Sequence, residues 1–205
     1  MAPLAELKEA GCVAISNDGR PLENAELVRR IMEYGADLGL ILIDHCEDPH
    51  LAKGWRMHEG VTSGLLGVKG QPAAGEANQA MRDIMLAEYL GVPVHIAHVS
   101  AALTVDCIAW GKARGVKVTA ETCPHYLLLD ETALEGCNTQ AKVSPPLRTA
   151  ADREALLAEQ RAESLRASSD QENESGEDEG NSSEARPHHS SRSLRHFKIQ
   201  DVIKR

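Results

Sequence analysis

Leu40-Ile41-Leu42-Ile43-Asp44-His45 is apolar without a break until its last two residues. A run of this kind, with no polar alternation, reads as a strand covered on both faces, as in a parallel sheet flanked by helices. It brings a carboxylate and an imidazole to its C-terminal end. Just upstream, Asn24 is placed to cap a helix whose Leu27, Ile31, Tyr34 and Leu38 fall on one face, and Gly39 ends that helix as a C′ glycine. Further back, Val13 to Ser16 is a short apolar run stopped by Asn17-Asp18-Gly19, a turn signal.

The same unit recurs downstream. Met81, Ile84, Met85 and Tyr89 form a helical stripe closed by Gly91, and Val94 to Ala97 reads as a strand that leads to His98. Val105 to Arg114 reads as helix and Gly115 breaks it. Val116 to Ala120 then reads as a strand entering Glu121-Thr122-Cys123-Pro124-His125. Between these units, Cys46 to Gly75 lacks periodicity, which marks a candidate active-site loop. Ser144-Pro145-Pro146-Leu147-Arg148 is excluded from helix interior and central strand by its prolines.

Strands alternating with helices predict an α/β fold, here a partial (β/α)8 TIM-type barrel over residues 1–157. A complete barrel needs about 250 residues, and the chain has 205. Half a barrel leaves two open sheet edges that invite pairing with another chain, so an oligomeric or partly molten isolated protein is expected. Residues 158–205 are polar, acidic and then basic, with few apolar residues to offset ordering entropy, and read as a disordered tail.

A net charge of −9 and no clustered Lys and Arg argue against a nucleic-acid partner. No apolar run is long enough to span a bilayer. Five cysteines without a CxxC pair suggest reduced thiols in a soluble, cytoplasmic protein.

Catalytic groups of parallel α/β barrels gather at the C-terminal ends of strands. Asp18, His45, His98 and His125 lie at or just past such ends. A carboxylate with neutral imidazoles is a ligand set for Zn²⁺, which activates water for hydrolysis. Each residue also has a plainer reading. Asp18 sits in a turn where Asp commonly caps backbone amides, and His45 and His98 could be hydrogen-bonded core histidines. Their repeated strand-end placement favours ligation. His125 is weighed as a further ligand and set aside for want of a second group. His95 falls on the opposite side of its strand and is assigned to packing, while His50 and His58 are expected in solvent. Cys46 reads as a buried structural thiol, and His188-His189 in the tail as solvated.

Several segments together resemble type I dihydroorotases: Ser16-Asn17-Asp18-Gly19-Arg20-Pro21, Asp44-His45-Cys46-Glu47-Asp48, His95-Ile96-Ala97-His98-Val99-Ser100, and Lys142-Val143-Ser144-Pro145-Pro146-Leu147-Arg148. His58-Glu59-Gly60, Pro72 to Glu76 and Thr122 to Leu129 agree with them in order and spacing. The resemblance implies an amidohydrolase barrel holding one or two Zn²⁺ ions, with Asp18 bridging the metals and His45 and His98 binding the second. It implies the reversible closure of N-carbamoyl-aspartate to dihydroorotate in pyrimidine biosynthesis.

Three departures from the family pattern qualify this. The first-strand His-x-His, with its neighbouring substrate arginine, is absent, so at most one Zn²⁺ is expected. The last-strand aspartate that serves as general acid/base would lie beyond Leu157, and no residue here takes the catalytic role. Ser144 stands where the family usually has an Asn that contacts the pyrimidine ring, offering one hydroxyl as a substrate contact. Another cyclic-amide hydrolase, an allantoinase or dihydropyrimidinase, is the nearer alternative. The rival of another class is a catalytically inactive remnant that serves as scaffold or partner subunit, for instance of aspartate transcarbamoylase, or as a homo-oligomer.

Overall fold

The computed structural model describes residues 2–176, with side chains as far as residue 164. One compact unit covers Met1–Leu165. After a short helix α1 (Leu4–Glu9), the first strand β1 (Ala14–Ser16) leads through helix α2 (Ala25–Asp37) to β2 (Ile41–Asp44). A longer crossover follows: β3 (Met57–His58), α3 (Val61–Leu66), β4 (Gly70–Gln71) and α4 (Ala74–Leu90). Strand β5 (Val94–Ile96), helix α5 (Ala102–Ala113) and strand β6 (Val118–Ala120) complete the sheet. The chain then runs through α6 (Pro124–Leu128) and 3₁₀ turns at Glu131–Cys137 and Thr139–Ala141 into α7 (Ala150–Gly176).

The sheet order is β1-β2-β5-β6, all parallel, in the register Ala14↔Ile41, Leu42↔Val94 and Val94↔Val118. Four consecutive parallel strands joined by helices are the repeat of a (β/α) barrel. Strands β3 and β4 form a separate parallel pair. Segment 46–75 therefore holds structure that periodicity did not reveal. Two-residue strands and a six-residue helix are too short to imprint a period on the sequence.

Local chemistry accounts for the helix ends. Asn24 Oδ1 accepts from the amides of Glu26 (2.9 Å) and Leu27 (3.1 Å), capping α2. Gly39 and Gly91 take φ of 66° and 68° just past α2 and at the end of α4, where a side chain would be strained. Thr149 and Asp152 cap α7 reciprocally: Asp152 Oδ2 accepts from Thr149 N (3.1 Å), and Thr149 Oγ1 accepts from Asp152 N (3.2 Å). Asp152 Oδ1 also accepts from Ala102 N at 2.8 Å, serving the first turn of α5.

Burial corrects two helix faces. In α2 the covered residues are Val28, Ile31, Met32 and Gly35, while Tyr34 is exposed. In α4 they include Ala77, Ala80, Ile84 and Ala87 beside Glu76, Gln79 and Asp83, whereas Met85 and Tyr89 face solvent. Large apolar residues suggested the stripe, but α4 packs against both α2 and α5, and small side chains allow that approach. The core gathers Val28, Leu42, Ile84, Val94, Ile96 and Val118 between sheet and helices.

The helix α7 continues past Leu157 into the segment expected to be disordered. Residues 150–166 are rich in Ala, Glu, Leu and Arg, strong helix formers. Leu156 is buried, and Lys112 of α5 pairs with Glu159 (3.8 Å) and Glu163. The rest of the expected tail, 177–205, lies outside the described residues. No described helix is long and apolar enough to cross a membrane.

Candidate metal centre

Alternation along β2 sends successive side chains to opposite faces. Leu42 and Asp44 are buried toward the helices, and His45, the next residue, turns to the other side. His98 follows β5 in the left-handed region, at φ 38°, unusual for a residue with a Cβ and found where a site over-determines the backbone. Asp18 lies in the turn after β1. Asn17 ties that turn to β2: its Oδ1 accepts from His45 N at 2.9 Å, and its Nδ2 donates to Arg20 O at 3.3 Å.

The three residues converge. His45 Nδ1 is 2.9 Å from His98 Nε2 and 3.7 Å from Asp18 Oδ1, and His98 Nε2 is 3.3 Å from the same oxygen. Asp18 is exposed, while the His45 side chain is 4% exposed and that of His98 16%. Tetrahedral zinc with bonds of about 2.0–2.2 Å keeps its ligand atoms about 3.3–3.6 Å apart. The observed separations bracket that spacing, so this donor set fits one such ion with its open side toward solvent. Burial first, and then the neighbouring His98, push His45 below the ordinary histidine range, against the carboxylates of Glu47, Asp18 and Asp44. A neutral imidazole is the form that ligates metal.

Ser144 is exposed and makes no hydrogen bond to the cluster among the described residues. Its peptide to Pro145 is cis, and Pro145 O accepts from the buried Tyr126 hydroxyl at 2.7 Å. His125 is half-buried, with an Nε2 that lacks a partner among the described residues; burial and then His98 lower its pKa. His95 Nδ1 lies 2.8 Å from Thr119 Oγ1, its cross-strand neighbour on β6. His50 is exposed beside Glu23. The expectation of a solvated His58 is corrected: it is buried, 3.3 Å from Arg148 Nη1, because β3 pairs with β4, whose Gln71 also receives Arg148.

Cys46 is buried, in line with the reading of a structural thiol. Its thiol donates to Asp44 Oδ2 at 3.5 Å and lies 3.8 Å from Asp83 Oδ2, and burial pushes its pKa well up. Asp44, Cys46 and Asp83 also cluster closely enough to be considered as metal ligands. Arg82 already supplies a cation there, at 2.7 Å from Asp83 and 3.4 Å from Asp44.

A buried polar network that sequence reasoning missed lies behind the three ligand candidates. Arg148, 3% exposed, donates to Ser100 Oγ (3.0 Å), Gln71 O (2.9 Å) and Gln71 Oε1 (2.9 Å), and pairs with Glu76 at 3.4 Å. Glu76 accepts from the amides of Ser100 (3.0 Å) and Ala101 (3.2 Å), holding the turn that follows His98.

The dihydro-orotase-like family model matches residues 1–103. A dihydroorotase of Trichlorobacter lovleyi is 51% identical over 158 residues, covering 77% of this chain and 37% of its own length. One of Acetivibrio thermocellus is 50% identical over 157 residues, with the same coverage. The chain thus spans little more than a third of these relatives. The D-hydantoinase structure from Bacillus sp. AR9 superposes with a TM-score of 0.62 over 76% of this chain and 37% of the other, at 24% identity, a likeness of fold.

Proposed function

Since this chain belongs to the dihydro-orotase-like family, we propose that it forms part of a zinc-dependent cyclic-amide hydrolase that interconverts dihydroorotate and N-carbamoyl-aspartate in pyrimidine biosynthesis. The convergence of Asp18 Oδ1, His45 Nδ1 and His98 Nε2 carries this reading. These residues would hold one Zn²⁺. Bound there, zinc supplies a Lewis acid that polarises an amide carbonyl and lowers the pKa of water.

The chain's own groups bind and orient. His45 and His98 present imidazole lone pairs from two adjacent strands, held by Asn17, by Glu76 and by the sheet. Asp18 adds a carboxylate from a third strand end, on the open side. Ser144 is proposed to offer its hydroxyl to the substrate ring. A soluble, cytoplasmic setting goes with this reading, and the free cysteines agree with it.

The test is twofold. Dialysed protein should retain about one Zn²⁺ per chain or less, and His45→Ala with His98→Ala should abolish retention. Zinc content unchanged in the double variant would remove both residues from the site. With Zn²⁺ supplied, turnover of dihydroorotate above a metal-only blank supports the enzyme. Folded, zinc-loaded protein without turnover supports the second reading, a non-catalytic partner subunit. Association with a second copy or with aspartate transcarbamoylase belongs to that reading.

A further inference from the structure

His45 has a second ring nitrogen, and a carboxylate stands on that side. While Nδ1 faces His98 and Asp18, Nε2 lies 3.9 Å from Glu47 Oε2. The Glu47 side chain is 15% exposed, and the same oxygen accepts from Gln71 Nε2 at 2.6 Å. Gln71 is buried on β4 and takes two hydrogen bonds from Arg148, through its backbone oxygen and Oε1. Arg148 in turn bonds Ser100 and pairs with Glu76, which grips the turn after His98. A continuous polar chain therefore starts at the His45 ring and ends at the loop carrying the other imidazole.

We propose that Glu47 is a positioning residue for the metal centre: facing Nε2, it sets the ring orientation and the tautomer of His45 that leaves the Nδ1 lone pair free, and Gln71 and Arg148 hold it in place. This rests on the metal reading above. The reasoning is that a ligating imidazole must present a lone pair, so when Nδ1 binds metal the ring proton sits on Nε2. An imidazole N–H facing a carboxylate is the usual outer-sphere arrangement of metal-bound histidine. At 3.9 Å the two are in ion-pair reach and beyond hydrogen-bond length, so the orienting force is electrostatic. It acts where the imidazole is nearly withdrawn from water.

The experiment compares unmodified chain, Glu47→Gln, Glu47→Asp and the His45→Ala/His98→Ala double variant. Zn²⁺ affinity is read by chelator competition, the visible spectrum by Co²⁺ substitution, and the melting temperature without metal. Glu47→Gln keeps an acceptor for Gln71 and removes the charge. It should weaken zinc binding by about 10–100-fold and change the Co²⁺ spectrum while the metal-free melting temperature stays put. Glu47→Asp, which retains the charge, should recover part of the affinity, and it carries the test should Glu47→Gln not fold. If both Glu47 variants match the unmodified chain in affinity and spectrum while the double variant loses metal, the metal site stands and this proposal falls. A loss of affinity matched by a fall in metal-free melting temperature would assign Glu47 a purely structural role and overturn the proposal. An unmodified chain that binds neither ion would overturn the metal reading and this proposal with it.

Discussion

Replacing Arg148 with Met is the most exacting test of how this site is supported. The Arg148 side chain is 1% exposed and its partner Glu76 4%. The substitution keeps most of the apolar stem and removes the guanidinium. Glu76 keeps the amides of Ser100 and Ala101 and the Ser100 hydroxyl, but its carboxylate loses its countercharge. Gln71 Oε1, buried, loses the donor at 2.9 Å. Removing one partner of a buried pair costs about 3–5 kcal/mol, and the amides that remain on Glu76 hold the estimate within that range. For a domain of this size the loss lowers the melting temperature by about 6–20 °C. Urea unfolding read from the fluorescence of Trp55 and Trp110 measures it. Adding Glu76→Gln removes the stranded charge, so the double variant should be more stable than the two separate losses imply, with a coupling of about 1–3 kcal/mol. A single variant that loses less than about 1 kcal/mol, or a pair whose losses simply add, would refute the claim that Arg148 is balanced by a buried charge.

Three further outcomes follow from the structure. Burial pushes His58 and His95 below the ordinary histidine range; Arg148 adds to this at His58 against Glu131, Asp152 and Glu59, and Glu121 opposes it at His95. Their folded values lie below the unfolded value of about 6.5, so the unfolded chain binds more protons in that interval and stability falls as pH drops through it. Asp83, raised by burial and by Asp44, contributes with the opposite sign, so the measurement is a comparison of urea midpoints: His58→Asn/His95→Asn should lose part of the slope below about pH 6.5, and an unchanged slope refutes the assignment. A Cβ at Gly111 would sit 2.6 Å from Ile84 Cγ2 and 3.3 Å from Val118 Cγ1; overpacking of about 1–3 kcal/mol outweighs the roughly 1 kcal/mol that Ala adds to a helix, and a more stable Gly111→Ala would show the core to be looser than this. Strands β1 and β6 are each paired on one side only among the described residues, so the isolated chain should elute from size-exclusion chromatography as more than a monomer, and a monodisperse monomer with a sharp melt would count against open edges.

The strands and helices of the sheet were legible because each is announced by strong local chemistry. The Leu40–Asp44 run, the Asn24 cap and the Gly39 and Gly91 stops act within a few residues of where they are read. Which side of a helix is buried is settled by distant neighbours. Tyr34, Met85 and Tyr89 are large and apolar, but α4 has helices on both flanks, and alanines hold the contact. The helical reach of α7 past Leu157 was hidden for a different reason: a low apolar content measures the ability to form a core, whereas propensity and the Lys112 pairs act without one.

At the site the same division separates what could be read from what could not. Asp18, His45 and His98 could be nominated, together with His125, from strand-end position, because a strand's end is a local property and the parallel sheet brings such ends to one rim; the structure brings the first three within ligand distance of one another. Glu47, Gln71, Glu76 and Arg148 are joined to one another, to Ser100 and to His58 by contacts that span 24 to 90 residues of sequence. Nothing local distinguishes a buried Arg148 from a solvated one, and arginine is rarely buried. What buries it is convergence: β3, β4, α4 and the turn after β5 all present acceptors to one guanidinium. A polar group placed this way is costly to leave unpaired, so its partners constrain one another. That mutual constraint fixes Gln71, Ser100 and Glu76 around Arg148, and with them the turn after His98, beside a sheet whose strands have only three or four residues.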